Sequence, residues 1–336
     1  MYILSSASGA GNTTLVNKLS DKDLFEIGLI RKDNEVKIHI PNDANIYNMT
    51  LGGYLSKEHI NNPALIFEDK NGNVINYTFG EVEAMSNGLA SKLSSLGYNF
   101  GSNIAVHTGQ HPDTAIAHMA ICKIGGVAVT LSQLYGPETL KHALNDCKVE
   151  VLITSNNAWN KLRQTKATSF PYLKYVILRD PDLGQNEISL TDAYLFESNF
   201  KANFGSANDP ALLMYTSGST GKPKGILHGH RVLASYRPSI NLFFNLSMKD
   251  KNAVYWSPSD WAWVGGLLDM LFPAWMAGKP IATSEDRFNA DWAYKFIERH
   301  KVTHTFLAPT AIKRMAQVQN PNELYDFCLL YTSDAA

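Results

Sequence analysis

Eleven consecutive residues, Tyr215 to Gly225, read YTSGSTGKPKG and bring together the side chains best suited to hold a phosphate. Glycine tolerates positive φ and lets backbone N–H groups approach an anion, while Thr216, Ser217, Ser219 and Thr220 add hydroxyl donors. Gly218, Gly221 and Gly225 supply that freedom here. Lys222 and Lys224 bring positive charge, and Pro223 between them fixes one φ angle and lowers the entropy of ordering the loop. The apolar run Ala211 to Met214 just before it reads as a buried strand, and a solvated Ser/Gly linker seldom follows one directly. The Walker arrangement G-x-x-x-x-G-K-[ST] does not fit, because Gly221-Lys222 is followed by Pro223.

Other residues compete for a chemical role. Trp256, Trp261 and Trp263 fall inside Tyr255 to Gly266, which makes either a core seam or one wall of an apolar pocket. Gly265 and Gly266 carry no side chain and are expected to leave room for an apolar tail. Apolar walls suit an apolar ligand body rather than one carrying an ammonium, unless Asp260 pairs with that ammonium. His228 and His230 lack the third and fourth ligands of a zinc site, which leaves hydrogen bonding within the loop as the alternative. Cys122, Cys147 and Cys328 are widely spaced and unaccompanied by a histidine motif, so they read as structural thiols. Residues Met1 to Ser20, MYILSSASGAGNTTLVNKLS, form a second strand, glycine turn and helix pattern.

The loop Tyr215 to Gly225 closely resembles that of the adenylate-forming superfamily of acyl-CoA synthetases, luciferases and peptide-synthetase adenylation domains, [YF]TSG[ST]TGxPKG, with every fixed position filled. The resemblance implies a carboxylate-activating ligase that uses ATP, Mg²⁺ and coenzyme A to make acyl-AMP and then acyl-CoA from a short- or medium-chain fatty acid or related carboxylate. It assigns catalysis to Thr216 and Lys222, and nucleotide binding to Thr216, Ser217, Gly218, Ser219, Thr220, Gly221, Lys222 and Lys224. The family stretch W-[ST]-x-x-D-x-[GA]-W matches Trp256 to Trp263, and its [VA]-P-[TS] turn matches Ala308-Pro309-Thr310. The implied substrate pocket is Trp261, Val264, Gly265 and Thr310, with no protein ligand assigned to a metal. Residues 1–20 resemble the opening of guanylate kinases, with Asn12 where the phosphate-binding lysine belongs, so that loop is at most a weakened anion site.

These groups need rigid elements to hold them. Ala64 to Phe67 and Val74 to Tyr77 read as a hairpin across Asn71-Gly72. Thr78 and Glu81 form a capping box ahead of a helix through Leu96 that ends at Gly97. Strand and helix patterns then alternate: Asn103 to His107, a helix opened by Pro112, Gly125 to Leu131, a helix from Gly136, Val149 to Ser155, Tyr175 to Leu178, the strand before the loop, and Ile226 to His228. A helix over Asp291 to His300, a strand over Val302 to Leu307 and a helix capped by Thr310 follow, and a helix is expected within Asn48 to Lys57. The expected fold is α/β, an incomplete large N-terminal domain of an adenylate-forming enzyme with mostly parallel sheets flanked by helices in two subdomains. The expected division is a leader over 1–30, the truncated large domain over 31–325 and a non-native tail over 326–336, with both end segments poorly packed. Full-length relatives continue with a Y-G-x-T-E motif, a ribose-binding aspartate, a hinge and a small C-terminal domain, none of which occurs here.

Composition bounds the rest. With 30 Lys+Arg against 31 Asp+Glu the net charge is −1, which offers no global attraction for nucleic acid or a membrane surface. No apolar run is long enough to span a bilayer, no signal peptide opens the chain, and unpaired cysteines suit a reducing cytoplasm. A non-catalytic nucleotide-binding module, or a kinase-like protein built on residues 1–20, are the competing readings.

Overall fold

A computed structural model describes residues 18–32, 35–164, 170–179, 184–197, 199–203, 205–216 and 222–326. The glycine turn with Asn12, the loop residues Ser217, Gly218, Ser219, Thr220 and Gly221, and the end from residue 327 lie outside it.

Helix starts follow local chemistry. Thr78 Oγ1 accepts from Glu81 N at 3.2 Å and Glu81 Oε2 accepts from Thr78 N at 2.7 Å, closing the capping box that begins the helix Phe79–Ser95. Pro112 opens the helix Pro112–Lys123, where its missing N–H is harmless, and His111 Nδ1 accepts from Asp113 N at 3.2 Å. The strands Asn103–His107 and Val127–Thr130 are buried on both faces, as parallel strands covered by helices must be.

Two sheets result. The larger has seven strands in the order Lys224–Gly229, Pro210–Thr216, Val127–Thr130, Asn103–His107, Val151–Ser155, Tyr175–Arg179 and Glu187–Ser189; only the first pair is antiparallel. The smaller has five, His304–Thr305, Tyr255–Trp256, Ile281–Ser284, Pro63–Glu68 and Val74–Thr78, antiparallel only in its last pair. The mixed α/β architecture with mostly parallel sheets flanked by helices is therefore as expected. A core runs from the helices Phe79–Ser95 and Pro112–Lys123 through Trp261 and Trp275. Among the described residues no helix is long and apolar enough to cross a membrane.

Several expectations change. The strand expected over Val302 to Leu307 shrinks to His304–Thr305, because Phe306 leaves the ladder and its carbonyl accepts from Ser257 Oγ at 2.7 Å. The helix sought within Asn48 to Lys57 is split into Ile46–Met49 and a 3₁₀ turn Leu51–Tyr54. Thr310 is no cap: the helix Pro309–Met315 begins after Ala308, whose side chain makes no capping bond. Of the N-terminal part, the described residues 20–38 are packed rather than loose. A helix Asp21–Glu26 and the hairpin Leu29–Lys32 with Glu35–Ile38 bury Leu24, Ile27 and Leu29 against Leu242, and Arg237 Nη2 donates to the Glu26 carbonyl. A division at residue 30 would cut that hairpin's first strand.

Gly88 shows how tightly the helices close. A Cβ there would collide with the backbone of Ala193 and Tyr194 in the helix Leu190–Tyr194. Alanine ordinarily gains about 1 kcal/mol over glycine inside a helix. At this position the overlap should win, and Gly88→Ala should lower stability by about 1–3 kcal/mol in urea unfolding. An unchanged or higher midpoint would show that the contact yields freely.

Candidate functional site

The phosphate-type loop is the tip of a hairpin. Its strands pair Tyr215 with Gly225 and Thr216 with Lys224, which sets Thr216 and Lys224 opposite one another at the tip. Thr216, Lys222 and Lys224 are exposed there, while the other five assigned loop residues lie outside the described set. A Cβ on Gly225 would sit 2.8 Å from Leu213 Cδ2, the end of a side chain on the partner strand. Tyr215 is 1% exposed, and its hydroxyl reaches Asp146 Oδ2 at 2.8 Å. Burial first, then Cys147 and Asp146, push that hydroxyl far above its usual range, so it remains a neutral donor. His142 Nε2 lies 2.9 Å from the Pro223 carbonyl, so both sides of the hairpin are tied to the helix Pro137–Asp146.

Tyr135 joins this hairpin to the aromatic segment. Its hydroxyl donates to the Tyr215 carbonyl at 3.2 Å, and its ring meets the edge of Trp263 at 5.6 Å between centroids. Burial, then the Asp260 charge, pushes the Tyr135 hydroxyl up to about 12. The segment Ser257 to Trp263 is held from both sheets. Gln110 Nε2 donates to the Ser257 carbonyl at 2.9 Å and also to that of Ser259, while Thr283 Oγ1 donates to the Gln110 carbonyl at 3.0 Å. Thr130 Oγ1 donates to the Ala262 carbonyl at 3.0 Å.

Asp260 is occupied within the segment. One carboxylate oxygen accepts from Ser132 Oγ at 2.6 Å and the other from Ala262 N at 3.0 Å. Burial raises its pKa and these donors partly offset that rise. Each of its oxygens therefore already holds one donor of the chain itself. His230 is buried and its Nδ1 accepts from Ile46 N at 3.3 Å, whereas His228 is half-buried on the hairpin's second strand; no group of three or more His, Cys, Asp or Glu that could hold a metal exists among the described residues.

The residues assigned to a substrate pocket differ in exposure. Trp261 is 1% exposed and belongs to the core; Val264 is 36% exposed at the start of a helical run; Thr310 is exposed on the first turn of its helix. Gly265 and Gly266 do not leave open room. A Cβ on Gly265 would come within 2.8 Å of the Phe306 ring, and one on Gly266 would strike the Ser259 and Asp260 carbonyls, so both glycines permit close packing. Sequence reasoning missed Gln110, Tyr135 and Asp269. The first two sit in loops beyond the carboxyl ends of parallel strands, the usual place for ligand contacts in open α/β sheets, and that position was the available signal.

Comparison with known proteins places these features in a family. The AMP-binding enzyme model matches residues 55–331. Acetyl-coenzyme A synthetase of Rubrobacter xylanophilus is 28% identical over 296 residues, covering 80% of this chain and 44% of that protein. The Bacillus subtilis acetyl-coenzyme A synthetase is 27% identical over 243 residues, with 71% and 41% covered. The chain thus spans less than half the length of these curated relatives. In fold it is similar to an anthranilate CoA ligase solved with anthranoyl-AMP, at TM-score 0.73 and 21% identity over 87% of this chain and 54% of that one. It is also similar in fold to acetoacetyl-CoA synthetase from Streptomyces lividans, at TM-score 0.74 and 18% identity, with 85% and 46% covered.

Asp269 yields a pH prediction. Burial lifts its carboxyl from 3.8 to about 6. The native protein therefore holds this proton more tightly than the unfolded chain, and the associated stability is complete below the unfolded value and lost as pH rises through the native one. Asp269→Asn should be more stable than wild type by about 1–2 kcal/mol above pH ~6, after discounting for partial exposure, with the gap closing toward pH ~4. Calorimetric melting across that range checks it; a gap independent of pH would mean the carboxyl is not desolvated.

Proposed function

The chain belongs to the AMP-binding enzyme family, and from that premise we propose that the protein activates a carboxylic acid with ATP and passes the acyl group to coenzyme A. A substrate carboxylate oxygen attacks the α-phosphorus of ATP, the bond to the bridging oxygen breaks, and pyrophosphate leaves with the electron pair. The thiol of coenzyme A then attacks the acyl carbonyl carbon, AMP leaves, and the thiol proton is released. A short- or medium-chain acid is the favoured substrate, in keeping with the acetyl-coenzyme A synthetases among the relatives.

The observation that supports this reading is the hairpin register, which pairs Thr216 with Lys224 at the end of the two strands, where Thr216, Lys222 and Lys224 are all exposed. In the proposal Thr216 and Lys222 donate to the phosphate oxygens as negative charge develops on the leaving group. Preorganised donors of this kind stabilise the transition state more than the ground state because they need no reorientation when the charge appears. Ser217, Gly218, Ser219, Thr220, Gly221 and Lys224 complete the assigned nucleotide contacts. Hydroxyls and lysines suit phosphate oxygens, and Mg²⁺, which prefers phosphates with one or two carboxylates to an all-protein cage, fits as an ion carried in by ATP.

Acid-dependent exchange of pyrophosphate into ATP tests the proposal with acetate, hexanoate and benzoate as probes. Thr216→Ala and Lys222→Ala should each slow exchange by about a hundredfold. Normal exchange in both variants would overturn the roles assigned to them. ATP binding without exchange on any acid would favour a non-catalytic nucleotide-binding module.

A further inference from the structure

The sequence holds two Asn-Gly pairs, and the fold treats them in opposite ways. The first, Asn71-Gly72, turns the hairpin between Pro63–Glu68 and Val74–Thr78. Asp69 Oδ1 accepts from Asn71 N and from Asn73 N, each at 2.8 Å, and Asp69 Oδ2 accepts from Asn73 Nδ2 at 2.9 Å. These bonds hold the main chain on either side of the pair. The Asn71 side-chain amide itself makes no hydrogen bond among the described residues. Asn71 and Gly72 are both exposed, Gly72 sits at φ +81°, and a Cβ placed on it would meet nothing within 4 Å. One bond at the loop tip holds the Gly72 N–H, to the Asp69 carbonyl at 3.0 Å.

The second pair, Asn87-Gly88, lies inside the helix Phe79–Ser95. Asn87 Oδ1 accepts from the buried Lys123 Nζ at 2.6 Å, and the Ala193 and Tyr194 carbonyls press on Gly88. A helical N–H is also tied to the carbonyl four residues back. Asparagine before glycine is prone to lose its side-chain amide, because no Cβ obstructs the approach of the glycine nitrogen to the asparagine side-chain carbonyl carbon. That approach needs a side chain able to turn back and an N–H able to come free. The loop tip meets both needs, and the helix meets neither.

We propose that Asn71 is a site of spontaneous deamidation, through a ring closed with Gly72, and that its product alters the hairpin. The Gly72 nitrogen attacks Asn71 Cγ, its proton and the amide nitrogen leave together as ammonia, and a five-membered imide forms. Water then opens the ring at one of its two carbonyls. Opening at the side-chain carbon leaves aspartate. Opening at the main-chain carbon leaves isoaspartate, in which the backbone runs through the side-chain methylene. Either product sets a second carboxylate close to Asp69. Isoaspartate also lengthens the turn by one carbon, and turn geometry fixes the register of a hairpin. Val74–Thr78 is the last strand of the five-stranded sheet, with Pro63–Glu68 as its one neighbour there, so the altered turn acts on that edge.

Peptide mapping by mass spectrometry of the full chain, aged in warm and mildly alkaline buffer, tests this, with an isoaspartate-specific carboxyl methyltransferase to mark that product. In the folded protein Asn71 should convert at least about a hundredfold faster than Asn87, since a core helix opens far less often than a loop tip. In urea, where no fold distinguishes them, the two should convert at comparable rates. An Asn71 that stays intact in the folded chain while converting in urea would overturn the proposal, because the Asp69 bonds would then suffice to protect it. Equal conversion of both asparagines in the folded chain would overturn it as well. Hydrogen exchange of the Val74–Thr78 amides should be at least about tenfold faster in the isolated isoaspartyl form. Unchanged exchange would refute the effect assigned to the turn.

Discussion

The hold that both sheets keep on the short segment Ser257 to Trp263 is the constraint on which the arrangement of the candidate site depends. Its backbone carbonyls are buried where no regular ladder is available, and each must find a donor or carry the penalty of desolvation. Gln110, Thr130 and Ser132 come from the seven-stranded sheet's loops and strands, and Thr283 from the five-stranded one, which holds Gln110 in turn. Each such bond adds only about 1 kcal/mol net, but removing a partner exposes an orphan worth about 1–3 kcal/mol. The segment therefore fixes one relative position of the two sheets, and with it the position of Val264 relative to the phosphate hairpin.

A second polar set reinforces that position from the other side. Asp113 is 6% exposed and contacts His111, Arg179 and Tyr194, and Arg179 also pairs with Glu285 at 2.6 Å beyond the last strand residue, Ser284, of the smaller sheet. Burial would raise the Asp113 pKa, but His111 and the Arg179 charge hold it well below the usual carboxylate range. Lys123 does similar service between helices, bound to Glu83 at 2.8 Å and to Ser86 at 2.7 Å, with burial lowering its pKa to about 8 against the pull of Glu83. Buried ion pairs are weak evidence for stability, because desolvation offsets most of their attraction. Their value here is geometric: they accept few alternative packings.

What could be read in the sequence was local. The Thr78 to Glu81 box, Pro112 at a helix start, the alternation of apolar strands with helices and the strand through Met214 each carry their signal within a few neighbouring residues, and the corresponding elements formed where expected. What could not be read depends on distant partners. The paired glycines Gly265 and Gly266 look like open space in one dimension, yet Phe306 and the Ser259 and Asp260 carbonyls fill it. Asp260 looks available until Ser132 is found beside it, and the strand after Val302 ends early because Ser257 takes the Phe306 carbonyl. The helix and hairpin at residues 20–38 carry only short local signals, the Ser20 to Asp23 capping box and the alternation after Glu35, and Leu242 and Arg237 on a remote helix complete their packing.

The pairing of the five-stranded sheet has a consequence for the newly made chain. Its hairpin Pro63–Glu68 with Val74–Thr78 has its parallel neighbour in Ile281–Ser284, and Trp275 Nε1 donates to the Ala64 carbonyl across 211 residues of sequence. At about 5–20 residues per second, that hairpin leaves the ribosome some 10–40 s before its partner exists. Through that interval Ala64, Leu65 and Phe67, all buried in the finished fold, have only a single antiparallel neighbour for cover, and one edge of the hairpin stays open to strands of other chains. The seven-stranded sheet draws only on residues 103–229, so it can close while the smaller sheet waits. Synthesis in the cell thus imposes an order of assembly in which these early strands of the smaller sheet are covered late, and escape from aggregation depends on translation speed and on whatever chaperone shelters that hairpin.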